Sequence, residues 1–122
     1  MTARMGLGRR GEALAAADLA RRGYRVVARN VRLPPWGEID IVAEIDGLLA
    51  LVEVRTRQRR RFGGPLASLT PAKRWRMLYA AQAYLTSLGD APPVRLDLIG
   101  VALDTDGRLL RIDHIENAVE SG

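Results

Sequence analysis

Cysteine is missing from this 122-residue sequence, which removes disulfides and thiolate metal sites and gives no sign of an oxidising compartment. Long apolar runs are missing too. The longest stretch free of charge, Met77 to Gly89, has thirteen residues and contains Gln82, too short to span a bilayer. The opening MTARMGLGRRGE has no apolar core for a signal peptide. The expectation is a cytoplasmic protein that makes no use of a membrane. Aromatic residues number six, few for a platform on which single-stranded bases would stack. Trp36, Phe62 and Trp75 fall near the charged segments, and Trp36 or Phe62 suits a wedge at a junction or fork, whereas Tyr24, Tyr79 and Tyr84 read as core.

What the chain has in excess is arginine. Nineteen basic residues oppose fourteen acidic ones, giving a net charge of +5, and eighteen of the nineteen are arginine. The planar guanidinium grips phosphate in a way that an ammonium does not. A basic surplus of this kind points to a polyanionic partner, nucleic acid before an anionic membrane surface. With 48% hydrophobic and 27% charged residues the chain reads as a globular protein, and its length fits a single domain over residues 1–122.

The spacing predicts a mixed α/β order. Gly11 to Arg22 is rich in Ala and Leu and closes on Gly23, a helix; YRVVARNV, from Tyr24, is a strand; LPPWG is a turn. Asp46-Gly47 joins two strands as a hairpin. RTRQRRRFGGP, residues 55–65, reads as a basic loop, its residues 55–64 being the segment expected to move. Thr70-Pro71 opens a second helix in which Trp75, Leu78, Leu85 and Leu88 share a spacing, and Gly89 ends it. Strands near Arg95–Leu103 and Leu109–Ile115 follow, joined by Asp106-Gly107. The helices are expected to pack on one sheet.

The hairpin GEIDIVAEIDGLLALVEVR carries the chemistry. The Asp46-Gly47 turn sets Ile45 opposite Leu48, Ala43 opposite Ala50, Ile41 opposite Val52 and Ile39 opposite Val54, an aliphatic face that must be buried. The other face sets Val42 opposite Leu51, Asp40 opposite Glu53 and Glu38 opposite Arg55. Opposed carboxylates repel, so such a pair either shares a proton or shares a cation, and a hard divalent ion such as magnesium takes oxygen ligands. The competing reading is an open face on which Glu38 and Arg55 pair and Asp40 and Glu53 are simply solvated.

Arg55, Arg57, Arg59, Arg60 and Arg61 lie within seven residues, and Lys73, Arg74 and Arg76 occupy the first turns of the second helix. Cations there oppose the helix dipole, so phosphate binding explains them better than helix stability does. Arg95 and Asp97 read as a structural pair, and His114, the lone histidine, has no evident partner.

GRRGEALAAADLARRGYRVVARN, GEIDIVA, LVEVRTR, FGGP, TPAKRWRM, RLDLIGV and HIENA, in this order from Gly8 to Ala118, resemble the YraN-like bacterial family of the PD-(D/E)xK, restriction-endonuclease-like nucleases, related to Holliday-junction resolvases. The resemblance implies an α/β fold with αβββαββ order around a mixed sheet. It implies a magnesium- or manganese-dependent endonuclease acting on DNA more than RNA, on branched or junction DNA, with pairing into a homodimer as in the resolvase-like relatives. In its terms Asp40 and Glu53 are metal ligands, the Val54 carbonyl is a further ligand, Glu12 is the helix glutamate, and Glu38 supports the site or replaces a ligand. Glu12 also suits a first-turn acid that favours the helix dipole. The departure is Arg55, where the superfamily has lysine. Arginine stays protonated and cannot be a general base, but it can stabilise charge on the transferred phosphate while the metal activates water. Lys73 is the alternative source of an ammonium. Two rival functions follow: a nucleic-acid-binding module without turnover, and a scaffold whose basic loop docks an acidic protein.

Overall fold

The computed structural model describes residues 3–58, 65–90 and 92–119. Helix α1 (Ala3–Arg21) leads into strands β1 (Arg25–Arg32), β2 (Glu38–Ile45) and β3 (Leu48–Arg57). A 3₁₀ turn over Pro65–Ser68 precedes helix α2 (Pro71–Leu88), and strands β4 (Val94–Leu103) and β5 (Leu109–Ile115) follow. The five strands form one sheet in chain order, antiparallel except for the parallel pair β3 and β4. That pair needs a crossover, and α2 supplies it. The αβββαββ order and mixed sheet are those of the restriction-endonuclease-like class.

The helices cover opposite faces. Ala15 and Leu19 of α1 pack with Ile41, Ala43, Ala50, Val52, Ile99 and Val101, while Ala80 and Ala81 of α2 pack with Val42, Leu51, Leu96 and Leu98. A central sheet covered on both sides explains why β2, β3 and β4 read as almost continuous aliphatic runs. Small residues set the docking distances. Gly11, Ala15 and Leu19 form the buried stripe of α1, and a Cβ at Gly11 would overlap the Thr56 side chain on β3.

Local signals hold at the turns. Asp46 and Gly47 both have positive φ (49° and 79°), as a two-residue hairpin turn requires. Thr70 caps α2 by accepting from the Lys73 N–H at 3.2 Å, Pro71 follows, and Gly89 closes the helix at φ 83°.

Three expectations change. α1 begins at Ala3 rather than Gly11, because Leu7 packs on the core and carries the helix through the glycines at 6, 8 and 11. β3 runs through Arg57, two residues past the expected hairpin and into the basic loop. Arg55 and Arg57 are paired with Gly100 and Ala102, and Arg55 pairs its charge with Glu53 rather than with Glu38. The stripe of α2 is only in part its buried face: Leu78 packs on the core and Leu85 is half-buried, but Trp75 is 60% exposed and Leu88 43%, while Ala80 and Ala81 are buried.

Candidate functional site

Strands β2 and β3 part at Asp40. Their register runs from Ile45 opposite Leu48 to Ile41 opposite Val52. One step further the Val54 N–H donates to Asp40 Oδ2 at 2.8 Å, a side-chain bond in place of a rung. The faces of β2 shift at the same residue. Ile41 packs beneath α1 as expected, but Ile39 joins Val42 and Leu51 beneath α2 instead of facing Val54 on the α1 side. Asp40 is thereby drawn into the opening between the strands, 8% exposed.

Other acids converge there from separate elements. Glu12, Glu38 and Asp40 each offer an oxygen, all within 4.8 Å of one another. Because α1 begins at Ala3, Glu12 lies well inside the helix, and the dipole account of it lapses. It is held between charges of both signs, with the Arg29 guanidinium 3.9 Å away. Burial first, then Glu38 and Glu53, push its carboxyl above the ordinary range, against Arg29 and a hydrogen bond from the Asn30 amide. Asn30 has φ 53°, a left-handed conformation that asparagine tolerates.

Asp40 is perturbed more. Burial, then the charges of Glu53 and Glu12, push it up to about 8, against the Val54 N–H. Glu53 is ion-paired with Arg55 at 3.4 Å. Four carboxylates from α1, β2 and β3 thus share one field. This is an all-oxygen donor set that loses repulsion when a hard divalent cation joins it, so the residues present fit such an ion.

Cationic clefts flank the acids on both faces of the sheet. On the α2 side a cleft of about 350 Å³ is lined by Trp36, Glu38, Asp40, Glu53, Arg55, Lys73 and Arg76. Partial burial, then the positive charges of Arg55, Arg57 and Arg76, hold the Lys73 ammonium below its ordinary pKa, while Glu53 opposes them. The Nε atoms of Arg55 and Arg57 are buried with no hydrogen-bond partner among the described residues. Arg74 turns away, its Nε reaching the Leu69 carbonyl at 3.4 Å. On the α1 side a wider cleft of about 790 Å³ is lined by Gly8, Arg9, Glu12, Arg29, Asn30, Arg32 and Glu38. Arg59, Arg60 and Arg61 lie outside the described residues.

The sequence reading missed Arg9, Arg29, Asn30 and Arg32. The arginines of β1 fall among aliphatic residues at uneven spacing, which marks no face, and only the pairing of Arg29 with Ile41 brings them beside Glu12. The reading also left His114 without a partner. Its Nε2 lies 2.7 Å from Asp97 Oδ2, and Arg22 approaches Nδ1 at 2.8 Å. Arg22 has only donors, so the ring proton is on Nε2, facing Asp97. Arg95 and the Asn117 N–H complete the shell of Asp97, and Arg95 also donates to the Tyr24 hydroxyl at 2.6 Å. The expected structural pair is thus part of a larger buried network outside both clefts.

A model of the uncharacterised protein family UPF0102 matches residues 11–101, from the α1–β3 contact at Gly11 through the acid cluster to β4. The chain belongs to that family. Its similarity to UPF0102 relatives extends over nearly the whole length. A protein of Symbiobacterium thermophilum is 46% identical over 113 residues, covering 92% of this chain and 94% of its own. One of Roseiflexus castenholzii is 46% identical over 116 residues, 93% of each chain. One of Streptomyces coelicolor is 44% identical over 109 residues, 88% of this chain and 84% of its own. No helix among the described residues is long and apolar enough to cross a membrane.

Proposed function

We propose that this UPF0102 chain is a nuclease of the PD-(D/E)xK superfamily, hydrolysing phosphodiester bonds in DNA, branched DNA in particular, with magnesium or manganese. The observation that carries the reading is the acid cluster in the fork of the sheet. Glu12, Glu38 and Asp40 meet within 4.8 Å, Asp40 is held largely protonated by its surroundings, and cations line the clefts on either side. A solvated cluster would relax apart; this one is built from α1 and β2 and tied to the Val54 backbone of β3.

Asp40 and Glu53 would hold the cation, with Glu12 and Glu38 within reach of Asp40 and the Val54 carbonyl, next to Glu53 on β3, as a further ligand. A bound divalent ion supplies Lewis acidity toward the phosphate and lowers the pKa of the attacking water. The chain's own residues do the rest. Arg55, restrained by Glu53, and Lys73 face the same cleft and offset charge that develops on the phosphate oxygens. Lys73 stands in for the ammonium that the superfamily carries at residue 55. Arg57 and Arg76, with Arg9, Arg29 and Arg32 on the other face, grip flanking phosphates. The absence of cysteine and a DNA substrate together favour the cytoplasm.

The test is nicking of flap and four-way substrates with magnesium or manganese by wild type, Asp40→Ala and Glu53→Ala, alongside calorimetric metal titration of the same proteins. Metal-dependent nicking lost in both variants supports the reading, and identical traces from all three remove it. Arg55 specifically favours a second reading, a nucleic-acid-binding module that keeps the fold without turnover. That module predicts salt-steep DNA binding that survives both substitutions.

A further inference from the structure

We infer that Trp36, Tyr79 and Trp75 form a stacking surface for unpaired bases, which makes a junction between paired and unpaired nucleic acid the substrate class of the proposed site. The sequence sets Trp36 and Trp75 near the charged segments but reads Tyr79 as core, with too few rings for a stacking platform. Instead Trp36 stacks on Tyr79 with centroids 4.6 Å apart at 23°, and Tyr79 stacks on Trp75 at 6.0 Å and 27°. All three are open to solvent, at 38%, 42% and 60% exposure. Half of the chain's six aromatic residues are thus spent on one solvated, nearly parallel run, where burial would have been the stabilising use of such rings.

Position and charge select the occupant. Trp36 lines the cleft that holds Asp40 and Glu53, together with Lys73 and Arg76 of α2. Trp75 and Tyr79 continue from there into an open groove of about 600 Å³ between α2 and β4. A partner with flat faces and phosphates at regular spacing satisfies both the rings and the cations, and a nucleic-acid strand with unpaired bases is that partner. An apolar protein surface would gain nothing from Lys73 and Arg76. A blunt duplex keeps its bases stacked on one another and offers only its backbone. The cleft on the α1 side is basic and has no ring among its lining residues, which suits duplex phosphates. The acids lie between a ring-lined arm and a ring-free one. That the phosphate between the two arms is the one cut rests on the nuclease reading; base stacking on the rings does not.

The chain's only two tryptophans, Trp36 and Trp75, both belong to the run, so intrinsic fluorescence reports on it directly. The full chain in metal-free buffer is titrated with an oligo-dT strand, with an abasic strand of equal length and with a blunt duplex. Quenching by oligo-dT alone is expected, with affinity for it falling roughly tenfold in Trp75→Ala and in Tyr79→Ala and recovering in Trp75→Phe and Tyr79→Phe. Quenching by the abasic strand equal to that by oligo-dT, or alanine variants that bind oligo-dT as tightly as wild type, overturns the inference. So does a wild-type dimer in sedimentation that Trp75→Ala converts to monomer without any response to oligo-dT, which would give the rings to a second copy. Asp40→Ala separates the two proposals. Quenching that persists while no protein nicks any substrate keeps the stacking surface and removes the nuclease, whereas metal-dependent nicking without quenching by unpaired strands does the reverse.

Discussion

The Val54 amide donates to Asp40 Oδ2 at 2.8 Å, where the next rung between β2 and β3 would otherwise form. One residue thereby ends a ladder, turns Ile39 to the other face and fixes a carboxylate in a nearly closed crevice. The hydrogen bond favours the charged form, but burial and the charge of Glu53 outweigh it. The fold holds a carboxylate in a state that a cation, and not water, would relieve.

That conflict has a pH signature. Asp40 titrates at about 8 in the folded chain and near 4 when unfolded. Between these values the folded state keeps a proton that the unfolded state has lost, so stability falls as pH rises from about 4 to about 8, by up to roughly 1.4 kcal/mol per pH unit. Denaturant melts in chelator should show this decline in wild type and a flatter profile in Asp40→Asn. Magnesium should restore more stability near the upper end of the range than the lower. Parallel profiles for the two proteins would contradict the assignment.

Lys73→Met removes the one ammonium in the cleft while leaving the acids in place. Single-turnover nicking should slow by roughly 100-fold, the usual scale for losing a charge-stabilising donor, with DNA affinity little changed. Arg55→Lys should retain or raise the rate. A Lys73→Met protein as fast as wild type would return Lys73 to the solvated surface.

Gly11→Ala tests the approach of α1 to β3. The new methyl overlaps Thr56, and overpacking of this kind costs about 1–3 kcal/mol. Adding Thr56→Ala should recover only part of the loss in thermal melts, because the Thr56 Cβ is itself too close. Metal affinity should fall with the single substitution, since Glu12 rides on the displaced turn.

Asp97→Asn breaks the buried network. Burial pushes this carboxyl up, but hydrogen bonds from His114, Arg95 and the Asn117 amide outweigh it and hold the carboxyl below its ordinary range. Its contribution is present above the unfolded pKa and is lost as pH falls through the lower folded value. Removing the charge from fully buried Asp97 leaves Arg95 with only the exposed Glu116, 3.3 Å away, as counter-ion and should cost about 3 kcal/mol at neutral pH. An unchanged denaturation midpoint would refute this.

Most elements were legible because their signals are local. The Asp-Gly hairpin turn, the Thr-Pro start of α2 and the last strand appear where composition puts them. The parity of the hairpin puts Asp40 near Glu53, and the two carboxylates do interact. The register, however, ends one pair short of them, and the acids that gather within 4.8 Å of Asp40 are Glu12 and Glu38. Features that depend on which faces meet were harder to read. Arg29 reaches Glu12 only because β1 pairs with β2 in a particular register. His114 finds Asp97 across the β4–β5 pair. The apolar residues of α2 are spaced like a core stripe, yet the sheet takes the small alanines and leaves Trp75 and Tyr79 to solvent. Nothing in the periodicity distinguishes those faces; the close approach of the α2 crossover to the sheet does.

The fork leaves the far half of β3 braced on one side only. From Glu53 opposite Leu98 to Arg57 opposite Ala102 it is paired with β4, while its register with β2 stops at Val52. Amide directions alternate along a strand, so residues 53, 55 and 57 donate toward β4, and 54 and 56 toward the gap. Deuterium uptake along this stretch should therefore be comb-like. The second tooth, the Val54 amide, would be a built-in gauge, its exchange slowing or quickening with whatever proton or ion Asp40 is holding.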